Sequence, residues 1–150
     1  MTLTYEEMIE IAAQREKENE VKAQQTVIER IEEMCQVLRT NYQSHSIATH
    51  QHAIANGRDV EFHQEQIDKL SMGEGVYNFT YEKGRKYAKI VMHTPQKSAH
   101  AFVDLKTGDV FKSSSWKAPA KNGVRYNLLD DKSRQEMYRR ADFAGSYLYK

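Results

Sequence analysis

The sequence predicts an α+β fold from three observations: a helical run unbroken by Gly or Pro before Gly57, a change of texture to short strand-length segments at Val76, and a last helix that Asp130 or Asp131 can cap. The expected architecture is a long N-terminal helix or helical hairpin, an antiparallel meander of about four strands, and a short C-terminal helix. At 150 residues the chain is read as a single domain, 1–150, that can bury a core without staples. Its two parts are a helical portion, 1–72, and a sheet with its closing helix, 76–150.

The first helix is placed near Thr4, because Thr4 and Glu7 make a capping-box pattern and Tyr5, Met8, Ile9, Ala12 and Ala13 follow at helical spacing. Val27, Ile28, Ile31, Met34, Cys35 and Leu38 then recur at intervals of three and four. A single helix over 4–39 would be about 54 Å long, against a radius of gyration near 15 Å for a domain of this size. Either it breaks in the polar run from Gln14 to Glu20, or it projects and packs on another subunit; projection is favoured. Asn56-Gly57 is a plausible stop, and Asp59 can cap a short helix carrying Phe62, Ile67 and Leu70 that ends at Gly73.

Four strands are expected at Val76 to Glu82, Lys86 to His93, Ala99 to Leu105 and Val110 to Ser115. Gly84 and Gly108 supply the positive φ of tight hairpins. Alternation in the third strand sends Ala99, Ala101, Val103 and Leu105 to one face and His100, Phe102 and Asp104 to the other. This second face, polar and aromatic, is the one expected to bind. A loop at Lys117 to Gly123 precedes Val124 to Leu129, and the last helix runs from Ser133 to about Phe143.

Charge is divided along the chain. Residues 1–75 carry 7 Lys/Arg against 14 Asp/Glu, and residues 76–150 carry 15 against 7. Such polarity directs an anionic partner to the second half, unless charge merely segregates with secondary structure. The N-terminus has neither a basic start nor an apolar run, and no stretch approaches the roughly 20 apolar residues of a membrane span. With one cysteine, Cys35, placed in a helical apolar pattern, no disulfide framework is possible within a chain. A reducing, cytoplasmic setting is expected, with no membrane partner.

Catalytic patterns are missing. Neither Gly-x-Ser-x-Gly nor a Cys/His signature nor a phosphate-binding glycine loop occurs, so no turnover is expected. His50 and His52, two apart, point to different faces of a helix and lack metal-site partners, so neither a metal nor another cofactor is expected. What remains is the stretch from Arg85 to Arg125, where Arg85, Lys86, Lys89, Lys97, Lys106, Lys112, Lys117, Lys121 and Arg125 interleave with Tyr87, Phe102, Phe111 and Trp116. Cations neutralise phosphates and flat rings stack on bases, which is the chemistry a nucleotide needs. The plainer alternative is a meander whose aromatics are core and whose lysines protect its edges.

The run from Ala99 to Lys121, with Asp104-Leu105-Lys106-Thr107-Gly108-Asp109 and Trp116-Lys117-Ala118-Pro119-Ala120-Lys121, followed by Arg125-Tyr126-Asn127, resembles a group of small phage-encoded proteins. Among them it is similar to the Thoeris anti-defence sponges, which sequester a cyclic ADP-ribose signal made by bacterial immune enzymes. The resemblance implies an oligomeric binding protein in the host bacterial cytoplasm, assembled through its N-terminal helices. It further implies Phe102 or Trp116 stacking the base, Lys112, Lys121 and Arg125 meeting phosphate, and Asn127 holding a ribose or base edge. The departure is Tyr126, where the resemblance leads one to expect Gly. Two other readings share these features: a single-stranded nucleic-acid-binding module on the same basic face, and an inhibitor whose N-terminal helices bind a host protein.

Overall fold

The structure is a computed structural model describing residues 2–149. Helix α1 runs without a break from Tyr5 to Ala55, 51 residues and about 76 Å. Thr4 Oγ1 accepts from the Glu7 amide at 3.1 Å, so the helix starts where its cap signal lies. The polar run from Gln14 to Glu20 does not break it, since these residues are good helix formers and no glycine or proline intervenes. Asn56 and Gly57, the latter at φ +70°, end it, and α2 (Val60–Ser71) folds back along its C-terminal third. Asp59 does not cap α2 as anticipated: it sits at φ +34°, ψ 53°, and its side chain makes no cap hydrogen bond.

Five antiparallel strands follow in meander order: β1 (Asn78–Lys83), β2 (Tyr87–His93), β3 (Lys97–Asp104), β4 (Asp109–Lys112) and the two-residue β5 (Tyr126–Asn127). The fold is the expected α+β arrangement with one short strand more than anticipated. Val110 pairs with Tyr126, and the Arg125 amide donates to the Val110 carbonyl at 2.7 Å, which stitches β5 to the edge. Helix α3 (Asp131–Arg140) and a 3₁₀ turn, Ser146–Leu148, close the chain.

The core lies between one sheet face and the middle of α1. Val27, Ile31, Met34 and Leu38 are fully buried there, together with Phe79, Ile90, Ala101, Val103, Val110 and Leu128. Burial of each large aliphatic side chain stabilises the fold by about 1.5–3 kcal/mol. Arg39 fixes the register by donating to the Phe79 carbonyl at 2.6 Å and to Asn78 Oδ1 at 3.2 Å. Tyr138 of α3 reaches the Arg30 carbonyl at 2.9 Å and Glu33 Oε2 at 3.0 Å, clamping α3 to the same helix. Burial, with the neighbouring Glu33, drives the Tyr138 phenol well above its ordinary range.

Two face assignments change, those of Ala99 and His100. The β2–β3 register shifts between Ile90 and Val91, so that Ile90 faces Ala101 while Val91 faces Ala99. This bulge turns His100 from the outer face to the core side, edge-on to Phe79 and with Nε2 2.7 Å from the Tyr147 hydroxyl. Burial lowers the His100 pKa to about 4, which keeps the ring neutral. Cys35 is buried as expected, and burial pushes its thiol up to about 11.

Candidate functional site

The outer sheet face carries the side chains that alternate away from the core: Glu82 on β1, Tyr87, Lys89 and Val91 on β2, Phe102 on β3 and Phe111 on β4. Tyr87 stands edge-on to both Phe102 and Phe111, with centroids 6.3 and 5.9 Å away. The loop after β4 folds back beside this face. Ser113 Oγ donates to the Ala99 carbonyl at 2.8 Å, the Ala120 amide donates to the Lys112 carbonyl at 2.7 Å, and Ser113 bridges Pro119. Those bonds place Trp116 against the sheet, with Lys89 Nζ 3.7 Å from the centre of its ring. Lys89 also lies 3.8 Å from Glu82.

At the β1–β2 hairpin this arrangement encloses a hollow of about 350 Å³. Arg85, Lys86, Lys89 and Lys117 line it, with Glu82 the one acid and Tyr87 and Phe102 as its rings; Lys83 also borders it but turns its ammonium to Gln24 Oε1 of α1, 3.3 Å away. The volume is at the lower end of the range of small-molecule sites, about 300–1,000 Å³. The hairpin supplies Arg85 and Lys86 directly after Gly84, which sits at the turn. Gly84 does not hold a positive φ as anticipated; a Cβ there would lie 3.0 Å from the Tyr87 carbonyl oxygen, to which the Gly84 amide donates at 2.8 Å.

The six residues singled out from the sequence do not converge. Phe102 lines the hollow but is 3% exposed, so its face is covered and Tyr87 and Trp116 are the rings with free surface. Trp116 is 40% exposed beside the hollow. Lys112 alternates to the opposite side of the sheet, its ammonium 4.1 Å above the Tyr149 ring. Lys121 is exposed in the loop beyond. Arg125 donates to Asn122 Oδ1 at 3.0 Å and so braces that loop. Asn127 is spent on structure: Nδ2 donates to the Thr107 carbonyl at 2.9 Å and to Asp109 Oδ1 at 2.8 Å, while Oδ1 accepts from the Leu129 and Asp130 amides. Tyr126, where the resemblance leads one to expect Gly, is buried and its hydroxyl donates to the Tyr147 carbonyl at 3.1 Å. Its ring is a core element and lines no part of the hollow.

Sequence reasoning gathered Arg85, Lys86, Lys89, Lys117 and Tyr87 into the basic, aromatic stretch but ranked none of them as site residues. Strand alternation was the available signal, because Tyr87 and Lys89 share a face with Glu82 across the hairpin. Among the described residues no group of three metal-binding side chains gathers. His50 and His63 instead meet across the α1–α2 hairpin, with Nδ1 atoms 2.7 Å apart and one ring donating to the other.

The fold and this hollow define a small α+β protein with one basic, aromatic recess. The chain belongs to the family of unknown function DUF7717, which spans residues 9–150. No curated protein and no solved structure matches it. Among the described residues no helix is long and apolar enough to cross a membrane.

Proposed function

We propose that this protein binds a small phosphorylated nucleotide in the recess at the β1–β2 hairpin and holds it without turnover. The observation that carries the reading is the gathering of Arg85, Lys86, Lys89 and Lys117 around the Tyr87 ring in one hollow, with Trp116 at its side. Phosphate oxygens take charge-assisted bonds from lysine and arginine, and a base stacks on an exposed ring. Lys89 is the pivotal group, since it lines the hollow and its ammonium rests on the Trp116 ring, with Glu82 3.8 Å away. The phage resemblance supports a cyclic nucleotide signal of the cyclic ADP-ribose type as the ligand, and sequestration in the host cytoplasm as the purpose.

A hollow of this size suits one nucleotide better than a strand, which needs a groove with a platform for successive bases. The test is calorimetric titration with cyclic ADP-ribose, ADP-ribose and linear adenine nucleotides, with the fluorescence of the chain's one tryptophan as a second readout. Lys89→Ala is expected to weaken binding about 10- to 100-fold, and Trp116→Ala about 5- to 150-fold. Arg125→Ala, a residue outside the hollow, is expected to leave affinity within about twofold. Wild-type affinity in both Lys89→Ala and Trp116→Ala would remove this site.

A further inference from the structure

The charged groups around the recess at the β1–β2 hairpin are of one kind, with a single exception. Arg85, Lys86, Lys89 and Lys117 can only donate hydrogen bonds, whereas an ionised Glu82 can only accept them. Strand pairing sets Glu82 directly opposite Lys89, yet the two meet loosely. Lys89 Nζ lies 3.8 Å from Glu82 Oε2, well beyond the roughly 2.7–2.9 Å of a charge-assisted hydrogen bond. That ammonium rests on the Trp116 ring, 3.7 Å from its centre. Among the described residues no donor lies within hydrogen-bond distance of the Glu82 carboxylate, and the side chain is 52% exposed. Its acceptor sites are therefore unspent. A carboxylate set among phosphate-binding cations repels the phosphate itself, so what it favours is a ligand that carries donors beside its phosphates.

We propose that Glu82 is the specificity-determining residue of this recess: it takes the neighbouring 2′- and 3′-hydroxyls of a ribose and so selects ribonucleoside phosphates over deoxyribonucleotides and inorganic polyphosphates. The inference rests on the nucleotide reading above and narrows it. Position argues for the sugar. Arg85 and Lys86 form the tip of the hairpin, which the Gly84 amide closes on the Tyr87 carbonyl. The Glu82–Lys89 pair lies two residues further along the strands, about 7 Å away. Phosphates at the tip, ribose at Glu82 and base toward Trp116 then follow the order in which a nucleotide carries those groups. The two oxygens of one carboxylate match the two hydroxyls of a cis-diol, and an acidic side chain accepting from a ribose hydroxyl is a recurrent device of dinucleotide sites. A base amine is also a donor, but it lies a full sugar further from the phosphates.

Calorimetric titration of the full chain with ADP, 2′-deoxy-ADP and inorganic pyrophosphate tests this. The wild type is expected to bind ADP about 10-fold more tightly than 2′-deoxy-ADP, the low end for a charge-assisted hydrogen bond because Glu82 is half exposed. In Glu82→Ala that ratio is expected to fall to within about twofold, while pyrophosphate binds about two- to fivefold more tightly for want of the repelling charge. Glu82→Gln, which keeps the shape and one acceptor oxygen, is expected to give an intermediate ratio. A role confined to bracing Lys89 would move all three ligands together and leave the ratio untouched. Equal wild-type affinity for ADP and 2′-deoxy-ADP, a ratio that survives Glu82→Ala, or weaker pyrophosphate binding in that variant would each overturn the inference while the nucleotide reading stands. A wild-type chain that binds none of the three ligands would remove that reading and this inference with it.

Discussion

His100 shows how one side chain couples the sheet to the end of the chain. Its ring sits beneath Gly145 and bonds to the Tyr147 hydroxyl, with Asp142 close enough to favour a charge that burial forbids. Burial alone would also raise the Asp142 carboxyl, yet the Ser146 hydroxyl and the amides of Ser146, Tyr147 and Gly145 hold it below the usual range. For His100 the folded pKa of about 4 lies under its ordinary 6.5, so unfolding takes up a proton between those values. Stability from this group is therefore full above about pH 6.5 and is lost as pH falls toward 4. The loss reaches roughly 3 kcal/mol, and below pH 4 this group adds no further slope. Denaturant midpoints measured across that window should show the decline, and His100→Phe should flatten it. None of this was legible in the sequence, where alternation sends His100 outward; the bulge that reverses it depends on how β2 and β3 slip past each other at Ile90 and Val91. Asn127 was misplaced for a related reason, since four hydrogen bonds to side-chain and backbone partners up to 20 residues away consume it.

Among the elements, the hairpins carry the clearest local code. Asp104 Oδ1 accepts from the Lys106 and Thr107 amides, and the Gly108 amide returns to the Asp104 carbonyl, so the turn is closed by its own residues. Gly108 stands at φ +77°, and a Cβ there would lie 3.0 Å from Leu129 Cγ. Gly108→Ala is expected to destabilise the fold by about 1–3 kcal/mol, read as a lower urea midpoint with an unchanged slope. Helix starts and strands at this scale were legible within a few residues, from the Thr4 cap to the stop at Asn56-Gly57. Asp59 was not, because a left-handed residue between two closely packed helices is set by the α1–α2 contact rather than by its own side chain. The 3₁₀ turn at Ser146–Leu148 leaves little trace in the sequence beyond the Tyr147-Leu148 pair that packs into the core.

For the whole molecule the division of charge becomes a division of space. The residues of the acidic arm of α1 from Tyr5 to Lys22 are exposed, and five of the fifteen cations of the second half border the hollow at the β1–β2 hairpin. Binding there by a ligand with two or so phosphates is expected to fall only modestly with salt, since few counterions are released. A strand contacting six to ten phosphates would lose about 10³–10⁵ in affinity between 50 and 200 mM salt. Isothermal titrations at those two concentrations separate the cases. The candidate region was legible as composition, a basic and aromatic stretch, but not as a set of residues, because a face is chosen by register and loop closure and not by proximity in sequence. The unbroken α1 was legible as the favoured of two readings over 4–39, from a length that no small domain could cover.

That length has a practical effect on how the protein moves. A spine of about 76 Å, set against a radius of gyration near 15 Å for a ball of this many residues, drags on solvent far more than its mass suggests. Gel filtration against globular standards will therefore overstate its size, and only shape-independent weighing can count its copies.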